Sequence, residues 1–203
     1  MPQIFAPVTR AIIILNVLVY LLQQVSGGVL ENLFALWPMS APQFEPWQLL
    51  TYAFLHSGDV WRLQFAHIFL NMFAVFLCGP ELEPRWGSLR FALYYLVCIL
   101  SAGATELWVE SLTNTGNHMM GASGGVFGLL LAFGWYLPRE PLGIVLLPKI
   151  HIPAWAFATV FAGMEVYLAL LGTASDQAHL AHLGGMIGGA LAIFYWRIRG
   201  ALT

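Results

Sequence analysis

The chain has 203 residues, of which 59% are hydrophobic and 9% charged, with a formal net charge of −2. A water-facing domain carries about 25% charged residues, so an ordinary soluble surface is excluded. The near-neutral balance gives nucleic acid nothing to bind. The two cysteines, Cys78 and Cys98, lie in apolar stretches without metal-ligand spacing, so neither a disulfide framework nor a cysteine metal site is indicated.

Six apolar stretches follow one another at about residues 8–24, 63–78, 88–105, 122–137, 152–171 and 178–196. A bilayer needs roughly 20 apolar residues per helix. The expectation is an all-α integral membrane protein with six spans, forming a single domain over residues 1–203. The first stretch has the length of a signal peptide. Gln23-Gln24-Val25-Ser26 is a poor cleavage site, so it reads as a retained anchor. Residues 25–62 form the longest connection and are rich in apolar side chains, among them Trp37, Phe44, Trp47 and Tyr52. Such a segment suits the membrane interface or the top of the bundle. The second and fourth stretches are short and carry small and hydroxyl residues, as helices packed inside a bundle do. The other connections read as short.

Six spans place both termini on one side. Arg10, Arg85, Arg90, Arg139, Lys149, Arg197 and Arg199 fall on that side and only Arg62 on the other. The positive-inside rule makes the termini cytoplasmic. The compact chain without a transit peptide suggests a bacterial cytoplasmic (inner) membrane.

Three elements carry chemistry. Gly121-Ala122-Ser123-Gly124-Gly125 opens the fourth stretch. It matches G-x-S-x-G, but that elbow needs a preceding strand, and none is expected here. On its own the motif fits close helix packing as well as catalysis. In the sixth stretch His182 precedes Gly185 and Gly189, a small-xxx-small pair; Gly124 and Gly128 form another. Two glycine-faced helices, one with Ser123 and one with His182, can approach within hydrogen-bonding distance, as a Ser–His nucleophile requires. In the second stretch His67 and Asn71 are four residues apart on one helix face. Both can donate to a developing oxyanion. Counted from the outer boundary, all four residues lie within roughly 10 Å of it at 1.5 Å per residue. Polar residues are costly there and are paired or functional.

Together these pieces, with Glu83-Pro84-Arg85-Trp86-Gly87 after the second stretch, resemble the rhomboid family of intramembrane serine proteases over nearly the whole chain. The resemblance implies a six-helix rhomboid-like bundle, a Ser123–His182 dyad without an aspartate, and cleavage in or near transmembrane segments of membrane-protein substrates. It also implies an oxyanion site from the Ser123 backbone N–H, Asn71 and His67. Glu83 and Arg85 correspond to a structural pair. No cofactor or metal is expected, and the partners are transmembrane substrates and the lipid bilayer. Two departures stand out: Phe127 replaces a frequent tyrosine that stacks on the histidine, and Trp47-Gln48 replaces Trp-Arg. The segment from His56 to His67 is also longer than in compact members.

Several residues compete for roles. His179 shares a face with His182 and offers a second base. The H-x-x-H pair could be read as a metal site, but no third ligand is expected nearby. The resemblance selects His182. Asp176 reads as a solvated loop residue, His56 as a loop histidine, and His118 and His151 receive no role. Glu165, inside the fifth stretch, reads as a carboxyl satisfied within the bundle, or as a residue that hydrates the site or positions substrate. An inactive rhomboid-like binder of membrane helices is the rival function, and such proteins lack the serine or histidine present here. A transporter would show internal repeats and broken spans at the midplane, which are not seen.

Overall fold

The structure is a computed structural model that describes residues 6–58, 65–144, 147–171 and 176–200. Arg62 and the side chains of Lys149, His151 and Asp176 fall outside the described set. Eight α-helices appear among the described residues: α1 (Pro7–Gln23), α2 (Val29–Phe34), α3 (Gln48–Thr51), α4 (Ala66–Trp86), α5 (Ser88–Thr113), α6 (Ser123–Tyr136), α7 (Ala154–Leu170) and α8 (Asp176–Ile198). Six of these correspond to the six predicted stretches. Two, Ser88–Thr113 and the Ala178–Ile198 part of α8, are both long and apolar enough to cross a membrane by themselves, and α1, α6 and α7 are shorter apolar helices.

Helix α4 runs eight residues past the predicted end, through Pro80 and Pro84. Proline removes a helical hydrogen bond and normally ends or kinks the helix. Here burial of Leu82, Glu83 and Trp86 holds the extension in place. Glu83 accepts from the backbone N–H groups of Val8 (3.0 Å) and Thr9 (2.8 Å), and from the Thr9 (2.8 Å) and Ser88 (2.6 Å) hydroxyls. One carboxyl thereby fills donors in the first turn of α1, which no side chain of its own N-cap residue satisfies, and ties α1 and α5 to α4. Gly87 turns the chain into α5 at φ 80°.

The described part of the connection between α1 and α4 folds onto the bundle. Leu36, Tyr52 and Leu55 are buried, whereas Val29, Leu33, Met39 and Trp47 are exposed. The segment thus packs one face on the top of the bundle and leaves the other exposed. Gln48, at the position of the departure noted above, is fully buried. Its amide donates to the carbonyls of Gln43 (2.7 Å) and Leu33 (3.3 Å), and its oxygen accepts from the Trp37 N–H (3.2 Å). A neutral side chain thus organises this loop.

The connection between α6 and α7 departs from expectation. It is an antiparallel hairpin of β1 (Pro141–Ile144) and β2 (Leu147–Pro153), pairing Pro141 with Pro153 and Gly143 with His151. The β-branched residues Ile144, Ile150 and Ile152 favour strand over a short turn. The fold is otherwise helical.

At the bundle centre α8 lies against α5 and α6. A Cβ on Gly185 would strike the backbone of Gly124, so the α6 and α8 backbones touch directly. A Cβ on Gly124 or Gly128 would strike Ala102 or Cys98 of α5, and one on Gly189 would strike the Tyr94 hydroxyl. The two glycine-faced helices therefore approach closely, and they also meet α5. Gly185 faces α6, while Gly124 and Gly189 admit α5 between them. Tyr94 also donates its hydroxyl to the Gly128 carbonyl at 2.7 Å, joining α5 to α6.

Candidate active site

Ser123 is the first residue of α6. The first backbone bond within that helix runs from the Val126 N–H to the Ala122 carbonyl. The N–H groups of Ser123, Gly124 and Gly125 thus have no partner within α6, and the positive end of the helix dipole lies at the serine. The preceding loop is held from two sides. Gly121 donates to the Tyr52 carbonyl at 3.0 Å, and Met119 exchanges backbone bonds of 2.9 Å with Leu36. Tyr52 in turn donates its hydroxyl to the Ile99 carbonyl of α5 at 2.6 Å. The connection between α1 and α4 is therefore the clamp that sets where α6 begins.

The Ser123 Oγ lies 2.7 Å from His182 Nε2. Phe127, one helical turn after Ser123, stacks on the His182 ring with centroids 4.4 Å apart and planes 16° apart. The expected aromatic stacking is present without a phenol.

His67 stands on the other side of Ser123. Gly121 has φ 134°, and a Cβ there would meet His67 Cε1 at 2.9 Å and Nε2 at 3.0 Å. Any side chain would press on that ring, and the backbone angle itself favours glycine. His67 Nδ1 pairs with the Ser57 hydroxyl at 2.8 Å, leaving Nε2 directed to the Gly121–Ser123 turn. Asn71 is buried, and its Nδ2 donates to the His67 carbonyl at 3.0 Å. An amide nitrogen carries two hydrogens, so one donor of Asn71 is used by its own helix and one is left.

His56 is fully buried with its ring edge-on to His67, centroids 5.1 Å apart. Burial pushes its imidazole down to about 3. Its backbone N–H and carbonyl both engage the Gln23 amide, which ties the connection to the end of α1. His118 packs on Trp37, away from the serine.

Two expectations are corrected. Arg85 and Glu83 are not brought together: the Arg85 guanidinium meets Glu81 at 2.8 Å, one turn earlier, while Glu83 faces α1 and Ser88. The pair lies two residues apart on a helix, and such neighbours point to different faces. Second, the two histidines of α8 do have a third polar neighbour. Glu165 of α7 is buried, and its Oε2 lies 2.6 Å from His179 Nδ1 and 3.0 Å from His182 Nδ1. Ligand atoms of these three residues lie within 4.8 Å of one another, close enough to hold a metal ion. Residues 17 apart on two different helices give no spacing signal, so only the depth of Glu165 in the sequence hinted at this contact. Ser57 and Gln23 were likewise missed, because each acts through a partner far along the chain.

A family model, the Rhomboid domain, matches residues 43–199, and the chain belongs to the rhomboid family. It is 27% identical over 190 residues to a protein named Rhomboid protease GlpG from Pectobacterium atrosepticum, and 26% identical over 191 residues to one of the same name from Yersinia pestis. Each alignment takes in 93% of this chain and 62% of the relative, so the chain spans less than two thirds of the length of these curated relatives. Family membership and the apolar helices together mark an integral membrane protein.

Proposed function

We propose that the protein is an intramembrane serine endopeptidase that cleaves peptide bonds in or near the transmembrane segments of membrane-protein substrates. The observation that carries this reading is the 2.7 Å contact between Ser123 Oγ and His182 Nε2, at the start of a helix with free N–H groups. His182 Nε2 takes the Ser123 proton as Oγ bonds to the scissile carbonyl carbon, and the carbonyl oxygen gains negative charge. The C–N bond then breaks, the departing amine takes the proton from His182, and an acyl-Ser123 ester remains. Water, deprotonated by the same imidazole, attacks the ester carbon; the bond from that carbon to Oγ breaks, the carboxylic product leaves, and His182 returns the proton to Ser123 Oγ.

The Ser123 N–H, the second Asn71 N–H and His67 Nε2–H surround the place where the oxyanion forms. For His67 to donate from Nε2, Nδ1 must accept, and the Ser57 hydroxyl is positioned to donate to it. Phe127 holds the His182 ring. Gly121, Gly124, Gly185 and Gly189 admit the contacts described above, and Glu83 joins helices, whereas Arg85 stays at the surface with Glu81. The domain is taken as residues 1–203 with six spans, both termini cytoplasmic, in a bacterial inner membrane.

The test is cleavage of a panel of single-span substrates by detergent-purified protein, beside Ser123→Ala and His182→Ala. Cleavage lost in both variants supports the reading. Equal cleavage by Ser123→Ala would falsify it. The inactive rhomboid-like binder predicts that the wild-type protein cuts none of the panel and is not labelled by a fluorophosphonate.

A further inference from the structure

The Ser123–His182 pair leaves one nitrogen of the imidazole unexplained. His182 Nδ1 does not face lipid or an apolar wall. It lies 3.0 Å from Oε2 of Glu165, whose side chain is 6% exposed, and that oxygen also receives His179 Nδ1 at 2.6 Å. A carboxylate can only accept, so both imidazoles must carry a proton on Nδ1 when Glu165 is ionised. An imidazole protonated on Nδ1 and uncharged has a lone pair on Nε2, the atom facing Ser123. The carboxyl thus selects the tautomer that can accept the serine proton.

We infer that Glu165 is a positioning residue that acts through His182, completing a Ser123–His182–Glu165 relay of contacts, with His179 holding the same carboxylate oxygen in place. This rests on the proteolytic reading above. The carboxylate comes from α7, the histidine from α8 and the serine from α6, so it also fixes the relative placement of three helices at the level of the reaction. Charge develops on His182 as it takes the serine proton, and a buried carboxylate in contact with Nδ1 stabilises that charge without moving. His182 rather than His179 serves as the base, because it is the His182 Nε2 that meets the Ser123 Oγ, at 2.7 Å.

The experiment compares kcat and KM of the full-length protein in detergent for a single-span substrate, with thermal stability recorded for each variant. Glu165→Gln presents an amide that can donate to Nδ1 and select the unproductive tautomer. It is expected to lower kcat about 10- to 100-fold with KM within about twofold, as loss of a partner that orients a reacting imidazole does. Glu165→Asp keeps the carboxylate and is expected to recover part of the loss. Wild-type kcat in Glu165→Gln, or equal losses in Gln and Asp variants that only follow lost stability, overturns the assignment. Should the Gln variant not fold, nitrogen-15 shifts of His182 in the wild-type protein decide: a proton on Nδ1 supports the assignment, and a neutral ring protonated on Nε2 overturns it. A chelator that lowers wild-type turnover also overturns it, because the three side chains would then be holding a metal ion. The two readings fail separately. Active Ser123→Ala or His182→Ala removes the protease reading, whereas inactive Ser123→Ala beside fully active Glu165→Gln removes only the role of Glu165.

Discussion

Single residues around Ser123 differ in what their loss removes. Asn71 and His67 are expected to act on the transition state, so Asn71→Ala and His67→Ala should each lower turnover about 100- to 1,000-fold, roughly 3–4 kcal/mol, while substrate binding changes little. The rate at saturating substrate and the thermal midpoint are measured together. Loss of rate only in proportion to loss of stability would make this face of α4 structural. Ser57→Ala tests the tautomer of His67. It leaves the nucleophile and base untouched but removes the contact at Nδ1, and a milder loss than His67→Ala is expected. His56 makes a separate prediction about pH. Its imidazole is fully buried, with no partner for either ring nitrogen among the described residues, and titrates near 3 in the fold against about 6.5 when unfolded. Between those values the unfolded chain binds the extra proton, so stability rises with pH. Its full value is present above about 6.5 and is lost progressively as pH falls toward 3. The thermal midpoint of the wild type should drop over this window more steeply than that of His56→Phe.

At the scale of elements, the geometry depends on how closely α8 approaches α6. Gly185 lies where any Cβ would strike the Gly124 backbone, and backbone cannot move aside as a flexible side chain can. Gly185→Val is therefore expected to separate the helices and abolish fluorophosphonate labelling of Ser123, with helix content by circular dichroism largely kept. Gly163 of α7 has open space around its missing Cβ, and Gly163→Ala is the matched control, expected to keep labelling and gain a few tenths of a kcal/mol up to about 1. Retained labelling in Gly185→Val would show that the contact is not what sets the Ser–His distance. Glu83 is the element-scale counterpart at the opposite end of α4. Glu83→Ala leaves two N–H groups of α1 and two hydroxyls without their acceptor. Charged hydrogen bonds contribute about 1.5–3 kcal/mol each, not additively, so a loss of several kcal/mol is expected, with the cleavage rate per folded molecule unchanged.

Over the whole molecule, the candidate site lies at the end of α4, α6 and α8 where each of these helices begins, and Arg10, Arg85, Arg90, Arg139, Arg197 and Arg199 lie toward the other end. A C-terminal reporter active only outside the cytoplasm should read negative. A positive reading would invert the protein and place the candidate site at the cytoplasmic face. The exposed apolar side chains, among them Leu18, Leu70, Leu112, Leu170 and Leu191, are spread along α1, α4, α5, α7 and α8. That distribution suits a lipid surround better than a single protein partner.

The sequence alone was enough for the helical bundle, for the order of its six apolar stretches, and for the meeting of Ser123 with His182. Hydrophobic length and the cost of polar residues in apolar helices are local properties, readable residue by residue. The stacking of Phe127 on His182 was legible only through the family resemblance. What the tertiary structure decided were contacts with no local spacing: the meeting of Glu165 with His182 and His179 across two helices, the Ser57 contact of His67, the Gln23 amide on His56, and the turn of Glu83 toward α1 rather than toward Arg85. Helix α4 passed two prolines because packing outweighed their local cost, and the hairpin after α6 formed where a short loop was expected. Each of these depends on partners brought together only when the helices pack, and no window along the chain contains both halves of the interaction.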